Sequence, residues 1–192
     1  MVAQWEVRCF GPDTREAFYR LHGSFALPDH PGEEAGWCFC AAWWVPTWDA
    51  WGERTAAQNR QVREGLCARG EYDGYLLFVD QEPAAWCQVG RRDRLAKLVE
   101  SLGLDKDPEV WAITCFMVAP RYRRQGLASC LLKEVLSDLV SRGVKRVEAY
   151  PKRGEPTGEG ELWTGPEAMY RAAGFELARE HERFPVLSKK IG

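Results

Sequence analysis

The stretch that decides the fold runs from residue 110 to residue 141 and reads VWAITCFMVAPRYRRQGLASCLLKEVLSDLVS. Its first nine residues are apolar at almost every position, which is typical of a strand buried on both faces in the middle of a sheet. Pro120 lacks the amide hydrogen that a strand needs and ends it. From Leu127 onwards, leucines and valines recur every three or four residues, which predicts an amphipathic helix that ends near Gly143.

The turn between this strand and this helix carries three arginines and a glycine. The first amides of a helix have no partner within the helix, and the helix dipole adds partial positive charge there. Gly126 has no side chain that would keep an anion from the backbone, and Arg121, Arg123 and Arg124 add positive charge. The turn therefore predicts a phosphate-binding site. The dinucleotide pattern GxGxxG and the phosphate loop GxxxxGK[ST] are absent, and Arg123, Gly126 and Ala128 instead form R-x-x-G-x-A.

This pattern resembles the GNAT superfamily of acetyl-CoA-dependent N-acetyltransferases, whose motif is [QR]-x-x-G-x-[GA]. Residues 169–175, MYRAAGF, are similar to the family's Y-x-x-x-G-F segment, so the resemblance extends from residue 110 to residue 175. It implies an α/β (α+β) fold in which helices flank a mixed sheet whose central parallel strands splay apart. It also implies that these residues bind coenzyme A: Phe116, Met117, Val118, Arg123, Arg124, Gln125, Gly126, Leu127, Ala128 and Ser129.

The resemblance further implies how the reacting groups are arranged. The loop amides hold the diphosphate, and backbone groups at the end of the strand form hydrogen bonds with the pantetheine arm. The amide of Val118 polarises the thioester carbonyl. Tyr170 matches the family's tyrosine, the general acid that protonates the departing thiolate, because a phenol with a pKa of about 10 is protonated at neutral pH. The alternative is a tyrosine that only packs its ring against the sheet.

The base that takes a proton from the amine is less plain, because the central strand carries Thr114 and Cys115 where many relatives have a carboxylate. Glu148 is the candidate, since a carboxylate between Val147 and Ala149 is costly to bury unless it is used or paired. A structural salt bridge, or a chain of water molecules in place of a base, remains open. Cys115 as an acyl-carrying nucleophile is disfavoured, since buried thiols are usually inert.

The remaining segments predict further strands, helices and loops. Strands are expected at residues 4–10, 75–79, 84–89, 145–150 and 174–182. Helices are expected from residue 12 to Gly23, at residues 93–102 with Asp93 as the cap, and at residues 166–173. The strand at 145–150 is expected to pair in parallel with the central one. Polar loops are expected at residues 28–36 and 152–164, and the second is expected to be mobile.

Residues 37–51 hold five of the nine tryptophans and two of the seven cysteines. They are interpreted as one strand followed by a helix that is capped at Thr47 or Asp49. Cys38 and Cys40 would then lie on the same face of the strand. A metal site is disfavoured because no second Cys or His pair has zinc-like spacing, so core packing or the lining of an acceptor pocket is favoured.

The whole chain of 192 residues predicts a single GNAT-like domain over residues 1–192. Residues 1–70 carry no matched motif and are expected to form an elaborated portion on the acceptor side. No apolar run approaches about 18 residues, so no membrane span is expected. Seven cysteines without a regular framework, in a chain with no signal pattern, predict reduced thiols and a cytoplasmic location.

The leading hypothesis is an enzyme that moves an acetyl group from acetyl-CoA, its co-substrate, to an amine of a small acceptor, without a metal. The alternative is a non-catalytic acyl-CoA-binding sensor or regulatory module. A nucleic-acid or membrane partner is not expected, because the net charge is −2 and no nucleic-acid-binding motif is present. A homodimer is left open, and neither the acceptor nor the length of the acyl chain follows from the sequence.

Overall fold

The computed structural model describes residues 4–24, 37–45, 47–154 and 163–192. Among them, a seven-stranded sheet forms the centre and helices pack on both of its faces. The strands are β1 Trp5–Cys9, β2 Tyr75–Val79, β3 Glu82–Arg91, β4 Val110–Val118, β5 Arg146–Ala149, β6 Glu176–Arg179 and β7 Val186–Lys190. The α-helices are α1 Arg15–Gly23, α2 Ala56–Ala68, α3 Ala96–Leu102, α4 Leu127–Ser141 and α5 Glu167–Ala172.

The strands lie in the order β1-β2-β3-β4-β5-β7-β6, so β4 occupies the centre of the sheet as predicted. The neighbours β4 and β5 run parallel, joined through the crossover helix α4, and the other described pairings are antiparallel. The predicted α/β (α+β) fold, with a mixed sheet flanked by helices, is confirmed. The strand after α4 pairs in parallel with the central strand, which is also confirmed.

Apolar clusters cover both faces of the sheet. On one face, α4 inserts Leu131, Val135 and Leu139, each fully buried, as the spacing of its leucines and valines predicted. On the other face, Phe18 of α1 packs against Trp86 of β3 with ring centroids 4.8 Å apart. Both faces of the central strands are therefore buried, which explains why β4 is apolar at nearly every position.

The predicted strand at the start of residues 37–51 is wrong. Residues 37–40 form turns, and two short 3₁₀ helices, Ala42–Trp44 and Trp51–Glu53, follow. The predicted caps Thr47 and Asp49 are also wrong, because α2 begins only at Ala56. Its N-cap is Thr55, whose hydroxyl accepts a hydrogen bond from the Gln58 amide while the Gln58 side chain accepts one from the Thr55 amide.

Two smaller expectations are also corrected. Asp93 does not cap α3, because the guanidinium of Arg91 binds both of its carboxylate oxygens and the helix begins two residues after a 3₁₀ turn, Arg92–Arg94. The predicted last strand ends early as β6, and the chain then returns as β7, which lies between β5 and β6. This return strand has no counterpart in the prediction.

Some expectations fall outside the described residues. The polar loop at residues 28–36 lies wholly outside them, and residues 155–162 of the second predicted loop do as well. Within the described part of the chain, no helix is long and apolar enough to cross a membrane.

Candidate active site

The centre of the sheet opens where β4 and β5 stop pairing. The parallel ladder joins Val110–Ile113 of β4 to residues 146–149 and goes no further. At the same point β4 contains a β-bulge, since Cys115 lies opposite Gln88 and Ile113 lies opposite Val89, which leaves Thr114 as the extra residue. The rest of β4 keeps its pairing with β3 and leaves its other edge free of β5, so the splay expected between the central strands begins here.

The free edge of β4 presents backbone groups from alternate residues. Phe116 points its N–H away from β3 and donates it to the carbonyl of Trp163, at 2.6 Å. Because N–H and C=O groups alternate in direction along a strand, those of Val118 point to the same edge. The Val118 carbonyl there accepts a hydrogen bond from Nε of Arg123, at 3.1 Å. Met117, the third predicted strand residue, points its backbone groups towards β3, where it lies opposite Trp86.

The turn after β4 brings the predicted loop residues to the N-terminus of α4. Pro120–Tyr122 forms a 3₁₀ turn, Arg124 takes a left-handed conformation with φ of +60°, and Gly126 is the N-cap with φ of +78°. A Cβ atom built on Gly126 would meet no atom within 4 Å, so the space beside this backbone is open. Buried Leu127 anchors the first turn of the helix in the core.

Positive charge surrounds this turn. Arg124 and Gln125 are exposed, and Arg121 is 64% exposed with its guanidinium stacked over the Tyr122 ring. The Gln125 side chain donates to the Arg121 carbonyl at 3.0 Å and so ties the two ends of the turn together. The first amides of α4, which include those of Ala128 and Ser129, have no partner within the helix and add the positive end of the helix dipole. A helix N-terminus with this charge and open space beside it favours an anion.

Tyr170 lies beside the free edge of β4. Its ring is fully buried and meets Phe116 edge to face, with centroids 6.4 Å apart. Its hydroxyl donates to the carbonyl of Thr164, at 2.7 Å. Burial, with the nearby cysteines Cys87 and Cys115 as lesser causes, raises the pKa of Tyr170 well above its usual value. The phenol therefore keeps its proton at neutral pH and can act as a donor.

Glu148 lies apart from this edge, in the paired part of the sheet opposite Ala112. Its Oε2 atom accepts two hydrogen bonds, from Arg92 at 2.7 Å and from the hydroxyl of Tyr150 at 2.8 Å. The side chains of Glu148 and Arg92 are 7% and 6% exposed, so this is a buried ion pair. The structure thus brings Tyr170 to Phe116 and leaves Glu148 in a separate polar cluster.

Sequence reasoning missed the groups that accept hydrogen bonds from Phe116 and Tyr170. The carbonyls of Trp163 and Thr164 accept from Phe116 and Tyr170, respectively, so one short segment holds both donors. The buried hydroxyl of Thr114, at the bulge, has no hydrogen-bond partner within the described residues. No sequence signal marks these contacts, because each depends on how separate elements come together in the tertiary fold.

A sequence model of the acetyltransferase (GNAT) family matches residues 37–156, which is more than half of the chain. The chain belongs to the GNAT acetyltransferase family. The resemblance inferred from residues 110–175 is therefore confirmed. Membership in this family supports acyl transfer from acetyl-CoA in general, and it leaves the acceptor unidentified. No curated protein sequence gives a significant match.

Solved GNAT structures share the fold at low sequence identity. The ribosomal-protein-S18-alanine N-acetyltransferase from Escherichia coli is 16% identical, with a TM-score of 0.55 over 98% of this chain and 95% of that one. The PaiA N-acetyltransferase from Thermoplasma acidophilum, solved in complex with coenzyme A, is 12% identical, with a TM-score of 0.56 over 97% and 99%. An acetyltransferase from Thermus thermophilus is 15% identical, with a TM-score of 0.56 over 98% and 97%. These likenesses show the fold.

The cysteine pair of residues 37–51 lies in a turn and not on a strand. Across the described ranges of this GNAT chain, no group of three or more His, Cys, Asp or Glu side chains is arranged to hold a metal ion. Cys38 and Cys40, which the sequence placed on one face of a strand, instead lie in a turn with Phe39 and Cys40 in left-handed conformations. Cys40 is buried and faces other residues of the core.

Proposed function

We propose that this GNAT protein transfers an acetyl group from acetyl-CoA to an amine of a small-molecule acceptor. The observation that carries the proposal is the continuity between two features. The free edge of β4 ends at Val118, and the open, arginine-rich turn at the N-terminus of α4 follows directly. A donor with a long amide-containing arm and a diphosphate matches such a pair of sites.

In this proposal the turn holds the diphosphate. Residues of the turn contribute both backbone amides and positive charge: Arg123, Arg124, Gln125, Gly126, Leu127, Ala128 and Ser129. The pantetheine arm extends along Phe116, Met117 and Val118, as a strand would. The N–H of Val118 faces the gap and is our candidate for polarising the thioester carbonyl. The N–H of Phe116 would exchange its present acceptor, the Trp163 carbonyl, for the arm.

Tyr170 is our candidate for the general acid. It lies next to Phe116, and burial keeps its hydroxyl protonated at neutral pH. To donate to a thiolate, the hydroxyl has to leave the Thr164 carbonyl. A single movement of the segment that contains Trp163 and Thr164 would therefore free both donors, the N–H of Phe116 and the hydroxyl of Tyr170.

Glu148 stays our candidate for the base, and its surroundings define what that role requires. Arg92 and Tyr150 both stabilise the charged carboxylate. The carboxylate would have to accept a proton while it holds these partners, and it would reach the amine through water. Transfer of the proton directly to solvent is the competing route.

We also propose that the chain is one domain over residues 1–192, with residues 1–70 on the acceptor side, and that it works in the cytoplasm. None of the seven cysteines, all of which lie within the described residues, forms a disulfide bond, which agrees with a reducing compartment. An acceptor-side role for the N-terminal part is supported by α1, which packs on the sheet face opposite α4.

The test is acetyl transfer itself. The purified protein is incubated with acetyl-CoA and a panel of small amines and amino acids, and released thiol and acetylated product are measured by absorbance and mass spectrometry. We expect at least one amine to yield equal amounts of CoA thiol and product. Hydrolysis without product, or no turnover with any amine, would contradict the proposal.

The second candidate function is a sensor that binds acyl-CoA without turnover. The buried ion pair of Glu148 with Arg92 favours it, because a carboxylate held in this way is unavailable unless the pair opens. Binding of acetyl-CoA in a titration, together with no turnover across the panel, would support the sensor over the enzyme.

A further inference from the structure

A group of buried side chains around Cys40 has no part in the proposed reaction. Three polar atoms converge on the Cys40 sulfur: Sγ of Cys115 at 3.1 Å, Nε1 of Trp86 at 3.1 Å and Nε2 of His22 at 3.4 Å. We call these four residues the Cys40 cluster. It joins α1, β3 and β4 to the turn at residues 37–40, and it lies one residue from Phe116 on the central strand.

The turn that presents Cys40 is held in an unfavourable backbone conformation. Phe39 and Cys40 have φ angles of +41° and +46°, which cost residues with a Cβ atom about 1–2 kcal/mol each. The fully buried Arg63 of α2 donates to the carbonyls of both residues, at 3.3 Å and 2.7 Å. Asn59, one turn earlier on the same helix, donates to the Trp37 carbonyl at 2.9 Å. Strain that is maintained by two buried polar side chains is typical of a functional position.

The surroundings of the two sulfurs shift the pKa values of the two thiols in opposite directions. Burial would raise the pKa of the Cys40 thiol, but the hydrogen bond with Cys115 and the nearby His22 and Arg63 together hold that pKa well below its usual value. The hydrogen bond to Cys40, followed by burial, raises the pKa of Cys115 well above its usual value. His22 places Nδ1 2.9 Å from the Phe18 carbonyl, so its Nε2 is turned towards Cys40. The surroundings thus favour the thiolate form at Cys40 and the thiol form at Cys115.

We propose that Cys40 and Cys115 form a reversible disulfide when the protein meets a small hydroperoxide. Cys40 passes its thiol proton to Nε2 of His22 and attacks the peroxide oxygen as a thiolate. The O–O bond breaks, and His22 gives the proton to the departing oxygen, which leaves as water or an alcohol. The resulting Cys40 sulfenic acid is then attacked by the Cys115 sulfur, and the hydroxyl leaves as water with the Cys115 proton. In total, two thiols are oxidised and one peroxide is reduced.

The geometry favours this pair over the other cysteines. The two sulfurs have to approach by about 1 Å to reach the disulfide bond length of about 2.05 Å. Cys38 is the neighbour in sequence, but burial, and then the charge of Cys40, raise its pKa to about 12, so it stays a thiol. Cys40 and Cys115 are 5% and 6% exposed, which limits the oxidant to molecules about the size of hydrogen peroxide.

The disulfide would also affect the reaction, and this part rests on the proposed function. Cys115 precedes Phe116, whose N–H lies at the gap between β4 and β5. A covalent bond from Cys115 to the turn at residues 37–40 would fix the strand beside that gap. We expect oxidised protein to lose acetyl transfer and to recover it after reduction with dithiothreitol.

The experiment detects the bond independently of activity. Full-length protein is treated with hydrogen peroxide, free thiols are alkylated with iodoacetamide, and peptides are mapped by mass spectrometry without reduction. We expect one cross-linked pair that contains Cys40 and Cys115, with two hydrogens fewer than the two thiol peptides. The pair should disappear on reduction. With tert-butyl hydroperoxide, which is bulkier, we expect at least a tenfold slower reaction.

Variants make the result specific. Cys115→Ser should abolish the cross-link and leave Cys40 as sulfenic acid, trapped by dimedone, whereas Cys87→Ser, a neighbouring buried cysteine, should form the cross-link as the wild type does. Alkylated Cys40 and Cys115 after peroxide treatment of the wild type, or a Cys38–Cys40 bond, would overturn the proposal. A cross-link without any change in acetyl transfer would overturn only its effect on activity.

Discussion

At the scale of single residues, the site contrasts two buried polar side chains with different surroundings. Tyr170 offers its proton to a backbone carbonyl, which remains neutral, so its hydroxyl can be redirected at the cost of one hydrogen bond. Glu148 is held by a guanidinium and a phenol, so its charge cannot be redirected without separating Arg92 from its closest carboxylate. An acid role therefore requires less rearrangement at Tyr170 than a base role does at Glu148.

Replacing Tyr170 by Phe should remove the proton donor and little else. We expect turnover to fall by about 10²–10⁴-fold, since general acid catalysis contributes about that much. Affinity for acetyl-CoA should stay within about twofold, and the free energy of unfolding should drop by about 1 kcal/mol because the Thr164 carbonyl loses its donor. Steady-state kinetics, calorimetry and urea unfolding measure the three quantities.

The control is Tyr75→Phe, which also removes a hydroxyl from a buried tyrosine, here one bonded to Asp138 and Arg142. It should lower stability by a similar amount and leave turnover unchanged. Turnover at the wild-type level in Tyr170→Phe would remove Tyr170 from the mechanism.

Replacing Arg92 by Met should leave the Glu148 carboxylate buried with Tyr150 as its remaining partner. We expect the free energy of unfolding to fall by about 3–5 kcal/mol, which is typical when one member of a buried pair is removed. The neighbouring Arg91 binds Asp93 on the surface, where these side chains are 46% and 24% exposed. Arg91→Met should therefore cost no more than about 1 kcal/mol. Equal losses in the two variants, measured by urea unfolding, would show that the Glu148 pair adds no stability.

At the scale of elements, local patterns predicted the centre of the molecule well. β4, the turn, α4 and β5 follow from apolar runs, Pro120 and Gly143, because each signal acts within a few residues of the structure that it determines. The position of the turn between β4 and α4 was predictable for the same reason. The contacts of Cys40 with Cys115 were not, since these residues are 75 positions apart and meet only through the tertiary fold.

The segment at residues 37–51 differs from its prediction because its alternating Trp, Cys and Phe residues imitate a strand. The structure instead satisfies these backbone carbonyls with side chains of α2, Asn59 and Arg63, both fully buried. Side-chain donors from another element allowed a turn with two left-handed residues to replace the strand. No pattern within residues 37–51 predicts hydrogen-bond donors that come from another helix.

The corrected start of α2 gives a direct test. Thr55→Ala removes the side-chain acceptor of the Gln58 amide and should lower the free energy of unfolding by about 1 kcal/mol. Asp49→Ala, at a cap that the sequence suggested and the structure does not use, should change it by no more than about 0.5 kcal/mol. A larger loss for Asp49→Ala than for Thr55→Ala in urea unfolding would contradict the observed helix boundary.

At the scale of the whole molecule, the tryptophans of residues 37–51 also cover α3. Nζ of Lys97 lies 3.5 Å from the centre of the Trp48 ring and 5.2 Å from that of Trp51. Lys97 is 4% exposed, and its Nζ has no hydrogen-bond partner among the residues that the structure describes. Burial, with a lesser contribution from Arg54, lowers its pKa to about 8.

This lysine should make stability depend on pH in the alkaline range. Between about pH 8 and pH 10.5 the unfolded chain keeps the Lys97 proton that the folded protein has released, so the free energy of unfolding rises with pH. Relative to Lys97→Met, the free energy of unfolding of the wild type should rise by up to about 3 kcal/mol across this pH window. Below the window the difference between the two proteins should not change with pH. The exposed Lys133→Met is the control and should follow the wild type. If the difference in free energy of unfolding between the wild type and Lys97→Met stayed constant from pH 8 to pH 10.5, it would contradict the lowered pKa of Lys97.

The molecule as a whole places both of the sites proposed above on one central strand. The free edge of β4 leads to the arginine-rich turn before α4. Cys115, with the rest of the Cys40 cluster, lies on the face of the sheet that is opposite α4. The net charge of −2 shows that the positive charge of the turn is local. Its effect therefore depends on a few backbone amides and arginines around Gly126.

The most direct test of this account is the binding of acetyl-CoA by calorimetry to two matched variants. Gly126 and Gly143 flank the two ends of α4, have φ angles of +78° and +77°, and both face open space. Glu at either position therefore adds the same charge and similar backbone strain. The account predicts that Gly143→Glu binds as the wild type does and that Gly126→Glu weakens binding at least about 30-fold, roughly 2 kcal/mol. Wild-type affinity in a folded Gly126→Glu protein would contradict it.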